Sequence, residues 1–363
     1  MSTDKPEATV QPPLNERELR LDKLAIRHHE PPEPEPIAAT FDLATDSGAK
    51  PDVSVEQGED GRWRINVTID RARSAVIDHA APELVQVPRR TLRTGLSRMS
   101  PDELAPSIPA DMDDLAITPE LPQGMASLRG LRDDRDVRPT TVFNPDGRWV
   151  YYDRNYPWRC LVRMTRPSGW SGSGVLIGPR HVLTASHCVD WTPGWLRVDV
   201  LYTNGSSLAT AWGTHAYYTQ KVTAANYNSK NMDDDYSVIV LNQRLGDRFG
   251  WLGARTYSDS WDDDVLPWRN IGYPQDFSWT GELATYQRDF ALDQTDYDSD
   301  AGKVLLSDTF DNWPGQSGSP VFGFWSDGPY VVGVTSGESS SNNFVAAGSS
   351  LTGLVRRARN DHP

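Results

Sequence analysis

The placement of the large aromatic residues limits what this chain can fold into more than any other feature. All 13 Tyr and 12 of the 13 Trp lie beyond residue 148, with Trp63 the exception, whereas 15 of the 27 Pro fall before residue 131. Aromatic side chains supply the largest buried areas in a core, so the main core must be built in the C-terminal part. The Pro-rich part contains tracts such as Pro31-Pro32-Glu33-Pro34-Glu35-Pro36. Such composition buries too little apolar surface to offset chain entropy, and residues 1–130 are expected to be mostly irregular. Two stretches inside it stand out: residues 14–26, with helical apolar spacing, and residues 62–87, which open with the strand-like alternation WRINVTI.

Beyond residue 140 the pattern changes to short runs of Val, Ile, Leu, Thr and Tyr bounded by Gly, Pro, Asp and Asn, the signature of an all-β domain. Strands are expected over 160–165, 174–177, 181–185, 197–202, 236–241, 280–292, 304–306, 320–324 and 330–335. No strand alternates with a long amphipathic helix, which disfavours a parallel βαβ sheet. The expected helix is terminal, over residues 350–359 (SLTGLVRRAR), with basic residues in its last turns where the helix dipole favours them.

Composition narrows the partners. Asp plus Glu number 50 against 36 Lys plus Arg, a net charge of −14, so a phosphate backbone finds no electrostatic footprint and nucleic acid is not an expected partner. The longest apolar runs, 236–241 and 330–334, fall far short of the ~20 residues that span a bilayer, and no membrane is expected as a partner. The first thirty residues hold no apolar stretch of the ~7–15 residues that a secretory signal requires, so export is not expected to be encoded in the usual way. Two cysteines, Cys160 and Cys188, exclude a disulfide-dense scaffold and any multi-cysteine zinc site; no metal is expected and one bridge at most is possible.

Three segments far apart in the chain each present one member of a Ser/His/Asp set. In Val182-Leu183-Thr184-Ala185-Ser186-His187-Cys188 an apolar strand ends in small residues followed by His187. In Asp235-Tyr236-Ser237-Val238-Ile239-Val240-Leu241 a carboxylate abuts a fully apolar strand; Asp233 and Asp234 before it read as a solvated turn. In Pro314-Gly315-Gln316-Ser317-Gly318-Ser319-Pro320, Ser317 sits in a tight glycine-bearing turn. A serine hydroxyl needs an adjacent base, and imidazole has a suitable pKa. A buried carboxylate fixes the imidazole tautomer, and Gly315 lets the amides of Gly315 and Ser317 point at one developing oxyanion. A His at a strand end is by itself usually structural, as expected of His181, which reads as a surface residue. The company of Asp235 and Ser317 sets His187 apart.

These residues resemble the chymotrypsin-fold serine peptidases. TASHC resembles the family's TAAHC, and GQSGSP resembles its GDSGGP. The glutamyl endopeptidase-like branch is nearer still, with its GxSGSP, a turn like Gly272-Tyr273-Pro274 and a mature start like Arg132-Asp133-Asp134-Arg135. The resemblance covers about residues 131–358 and implies two antiparallel six-stranded β-barrels, a peptidase domain over 131–363, and residues 1–130 as a pro-region. It implies His187, Asp235 and Ser317 as base, orienting carboxylate and nucleophile, and no cofactor. A monomer acting on peptide or protein substrates outside the cell is expected.

Gln316 stands where chymotrypsin has the Asp that pairs with a freed amino terminus, so that activation switch is absent. Gly172 stands where chymotrypsin keeps the cysteine bridged to the one after the base, which leaves Cys160, one expected strand upstream, as the partner that Cys188 could reach for a bridge. Thr335 occupies the place of the histidine that reads a glutamate substrate. Asp311 is expected towards the back of the primary pocket, lined also by Ser336 and Gly337, with a preference for basic or uncharged residues. A catalytically silent binding module and a serine esterase are the competing readings.

Overall fold

A computed structural model of the chain describes residues 11–21, 24–30, 52–57, 63–68, 80–96, 104–110, 115–120, 142–143, 145–189, 191–262, 267–278, 281–294 and 302–363. Two units are present, one of Met1–Pro31 with Ala80–Pro363 and one of Pro32–His79. In the smaller unit, Asp52–Gln57 and Trp63–Thr68 form an antiparallel hairpin.

The larger unit begins its main core with six strands: β1 (Leu161–Thr165), β2 (Ser171–Gly178), β3 (His181–Thr184), β4 (Arg197–Val200), β5 (Ala209–Tyr218) and β6 (Ser237–Leu241). They pair in the order β4-β1-β2-β3-β6-β5, all antiparallel, and β4 pairs back with β5 to close a barrel. Closure removes the unpaired edges that an open sheet exposes. Val162, Met164, Val175, Ile177, Val182, Val198, Val238 and Val240 are among the side chains buried in this part of the core.

Six further strands follow: β7 (Trp268–Gly272), β8 (Thr285–Phe290), β9 (Lys303–Ser307), β10 (Pro320–Trp325), β11 (Gly328–Glu338) and β12 (Asn343–Ala347). Their row runs β9-β12-β11-β10-β7-β8. Just past β8 the chain continues as Asp293–Gln294, which pairs with β9 at the opposite end of the row, so this sheet also curls round on itself. Its core is aromatic, with Trp261, Trp268, Phe290, Phe310 and Trp325 packed among Val and Leu. The all-β expectation with one C-terminal helix holds. That helix, Ser349–Asp361, buries Leu351, Leu354, Val355 and Ala358, the spacing of one helix face.

The described stretches upstream of residue 131 are poor in regular structure, yet Leu14, Leu19, Val87, Leu92, Leu104 and Ile108 all join the main core. Leu14 N–H donates to Phe324 O and Ala25 N–H to Ser326 O, both at 2.7 Å. Glu83–Gln86 adds a parallel strand beside β5. The helix Arg89–Leu96 lays Leu92 against Gly353 of the C-terminal helix. The expected start of the domain at residue 131 lies outside the described residues.

His181, expected at the surface, is fully buried: its Nε2 lies 3.1 Å from Ala358 O, and burial lowers its pKa to about 3. The expected Cys160–Cys188 bridge is absent and both thiols are free. Register explains why. Cys188 Sγ lies against Gly172, which pairs with Met164, four residues along the chain from Cys160. At ~3.3 Å per residue the two sites are ~13 Å apart, beyond the ~7 Å limit for a disulfide.

Candidate active site

His187 sits in a single 3-10 turn, Ser186–Cys188, directly after β3. Ser186 anchors that turn: its hydroxyl donates to Gln220 O at 2.9 Å and accepts from Val222 N–H at 3.1 Å. Asp235 follows another 3-10 turn, Met232–Asp234, and leads into β6. Because β3 and β6 are paired neighbours, His187 and Asp235 arrive side by side. His187 Nδ1 lies 2.7 Å from Asp235 Oδ2, and His187 backbone N–H donates to Asp235 Oδ1 at 2.9 Å. A carboxylate at Nδ1 places the ring proton there and leaves Nε2 as the acceptor. Burial disfavours a charged ring, but Asp235 outweighs it, with Cys188 acting in the same direction, and His187 is held well above its ordinary value.

Ser336, on β11, donates from its hydroxyl to Asp235 Oδ2 at 2.6 Å, and the Tyr227 hydroxyl lies 3.1 Å from the same Ser336 oxygen. Asp235 is thereby fully buried and held from three directions. Asp233 and Asp234, expected in solvent, are buried as well. Arg89 of the upstream helix pairs with both, at 2.7 Å from Asp234 Oδ1 and in a shorter contact to Asp233.

Ser317 is half-buried in a turn flanked by Gly315, at φ +99°, and Gly318, at φ +79°. Both conformations favour glycine, and there is no room for more: a Cβ would stand 2.4 Å from Tyr273 O at Gly315 and 2.2 Å from Thr184 Oγ1 at Gly318. The second contact seats the Ser317 turn against the Thr184-Ala185 end of β3, the segment that delivers His187. No hydrogen bond joins the Ser317 hydroxyl to His187 or to any other group among the described residues. The N–H groups of Gly315 and Ser317 likewise meet no acceptor among the described residues.

Ser173, which the sequence reading passed over, clamps this turn. Its N–H donates to Ser317 O at 2.9 Å, its hydroxyl donates to Gly315 O at 2.8 Å and accepts from Tyr273 N–H at 2.9 Å. A fully buried hydroxyl on a strand facing two turns 100 or more positions away leaves no local sequence signal.

The expected specificity residues have partners within the chain. Asp311 is 1% exposed and accepts from Phe143 N–H at 2.6 Å, Gly147 N–H at 2.7 Å and Gln287 Nε2 at 3.0 Å, so its carboxylate is spent on the chain's own groups. Burial raises its pKa to about 6 against those bonds. Thr335 is fully buried and its hydroxyl lies 2.7 Å from Ser319 Oγ, with Asn270 Nδ2 donating to it at 3.3 Å. Ser336 serves Asp235 as described, and Gly337 leaves room for Tyr227, whose hydroxyl would lie 2.3 Å from a Cβ there. Among the described residues no group of three or more His, Cys, Asp or Glu side chains is placed to hold a metal ion, and no helix is long and apolar enough to cross a membrane.

The chain is 28% identical over 218 residues to an extracellular metalloprotease of Bacillus subtilis, and 29% identical over 169 residues to a glutamyl endopeptidase of Bacillus licheniformis. These alignments cover 57% and 46% of this chain, and 66% and 49% of those relatives' lengths. The chain thus spans about half to two thirds of the curated relatives it matches. A solved Glu endopeptidase in complex with MPD is 22% identical at a TM-score of 0.49, over 61% of this chain and 100% of that one. The Trypsin family matches residues 149–349, a span that opens just before the first barrel and takes in the segments of His187, Asp235 and Ser317. With more than half its length covered by that match, the chain belongs to the trypsin family.

Proposed function

We propose that the chain is a serine endopeptidase in which Ser317 is the nucleophile, His187 the base and Asp235 the orienting carboxylate. The observation that carries this is the Asp235–His187 pair at 2.7 Å on the strand end against which the glycine-flanked Ser317 turn is seated. Family membership supports the same reading. Ser317 Oγ attacks the scissile carbonyl carbon as its proton passes to His187 Nε2, and Asp235 stabilises the imidazolium that forms. The N–H groups of Gly315 and Ser317 donate to the oxyanion. Return of the proton to the amine leaving group gives an acyl-enzyme, and water activated by His187 then releases the acid and restores Ser317.

Glutamate is not the preferred side chain, although one relative is named a glutamyl endopeptidase. Thr335 spends its hydroxyl on Ser319 and Asn270, and the Glu338 carboxylate nearby accepts from Asn312 Nδ2 at 3.2 Å. A substrate carboxylate without a charged donor forfeits ~1.5–3 kcal/mol and meets Glu338 as a like charge. Basic or uncharged side chains are favoured. Digestion of a mixed peptide library by the full chain and by Ser317→Ala tests both statements. Cuts that vanish in the variant and do not cluster after Glu are expected; undiminished cutting by the variant defeats the nucleophile, and dominant cutting after Glu defeats the specificity.

A further inference from the structure

Just upstream of the first barrel lies a buried cation that the proposed chemistry does not use. Arg148 is 1% exposed, and all five of its side-chain N–H groups have acceptors. Nε donates to Asp146 Oδ1 at 3.1 Å, one Nη2 hydrogen goes to Asp146 Oδ2 at 2.9 Å, and the other makes a shorter contact to Asp276 Oδ2. Nη1 donates to Asp276 Oδ1 at 3.2 Å and to Gln316 Oε1 at 2.8 Å. The ring of Phe277 lies 5.0 Å below the guanidinium. Burial opposes its charge, but Asp146 and Asp276 outweigh that and raise its pKa above the ordinary value.

Gln316 immediately precedes Ser317 and is fully buried. Its Nε2 donates to Asp311 O and to Asn270 Oδ1, both at 3.3 Å, so the Arg148 contact completes the anchoring of this side chain. The Ser317 N–H belongs to the peptide whose other residue is Gln316, and a fixed Gln316 therefore fixes the direction of that N–H. The backbone beside Arg148 is tied to the same loop, since Phe143 and Gly147 N–H groups donate to Asp311. Trp149–Val150 then pairs with the start of β8. A cation needed only to fasten the upstream segment would be satisfied by Asp146 and Asp276; the contact to Gln316 reaches the reactive turn.

We propose that Arg148 is a positioning residue for the nucleophile turn, acting through Gln316. Because the contact to Gln316 comes from a side chain and not from a chain terminus, the turn needs neither a cut upstream nor a freed amino terminus. The inference rests on the serine peptidase reading. Its test uses the full chain, verified as uncut by intact mass, and measures the rate of labelling by a fluorophosphonate over a range of probe concentrations. The wild type is expected to label uncut. Arg148→Met and Gln316→Met should each lower the limiting labelling rate about thirtyfold, leave the half-saturating probe concentration within twofold, and combine with no further loss. Gln316→Met leaves both acid partners of Arg148 in place, so it reads the link even where Arg148→Met lowers stability. A wild type that labels only after cleavage overturns the inference, as does a folded Gln316→Met chain that labels at the wild-type rate. A wild type that labels in neither form instead defeats the peptidase reading beneath it.

Discussion

Asp235 receives the His187 ring, the His187 backbone N–H and the Ser336 hydroxyl, and this arrangement fixes the pH dependence of the site. His187 lies above its ordinary value of 6.5, and only the neutral ring can take the Ser317 proton. In the proposed mechanism activity is therefore expected to fall as pH drops through a midpoint above 6.5, the sign expected of a base whose pKa is raised. With Asp235→Asn the counter-charge goes while burial remains. The acid limb should then move to lower pH even as the maximal rate falls by ~10⁴, and a kcat/KM profile against pH reads both effects. At this scale the sequence was most legible where chemistry demands a residue type beside a strand end or between glycines, as at His187, Asp235 and Ser317. It was least legible where the role depends on distant packing. Ser173, Ser336 and Arg148 are common residue types in unremarkable runs, and nothing local to Asp311 shows that Phe143 and Gly147, 164 or more positions away, donate to it.

The strands that the sequence reading missed have a shared cause. β5 (ATAWGTHAYY) and β7 (WRNIG) mix small and polar residues with aromatics and show neither clean alternation nor a continuous apolar run, and the apolar run of β12 (NFVAA) is only four residues long and half alanine. Asn270, a polar member of β7, is nonetheless buried by specific partners, donating to Ser319 Oγ at 2.8 Å and Pro320 O at 2.9 Å. The upstream helix Arg89–Leu96 shows the same dependence on distant chain, since Arg89 is the counterion of Asp233 and Asp234 in the turn that carries Asp235. Removing one partner of such a buried cluster costs about 3–5 kcal/mol, because a charge is left uncompensated. Arg89→Met is thus expected to lower the denaturant midpoint of the full chain by that equivalent, whereas Arg20→Met, in an exposed pair with Glu16, should change it little.

Within the larger unit, the described stretches upstream of residue 131 clad the main core. Five of the upstream side chains in the main core, Leu14, Leu19, Leu92, Leu104 and Ile108, are each 7% exposed or less. At ~1.5–3 kcal/mol apiece their burial is worth on the order of 10 kcal/mol as an upper estimate, comparable to the ~5–15 kcal/mol stability of a typical domain. Composition pointed to irregular backbone here but could not reveal that the irregular backbone is packed. Residues 131–363 expressed alone should therefore melt without a cooperative transition or fall out of solution, while the full chain melts cooperatively; a truncated protein as stable as the full chain would show the cladding to be dispensable. The central claim, that a trypsin-family fold here holds a working Ser317, is tested most directly by treating the folded full chain with a fluorophosphonate and locating the adduct by peptide mass spectrometry. The account predicts a stoichiometric adduct on Ser317, slowed by orders of magnitude in His187→Ala. A folded chain that forms no adduct, or one whose adduct lies on another serine and persists in Ser317→Ala, would contradict it.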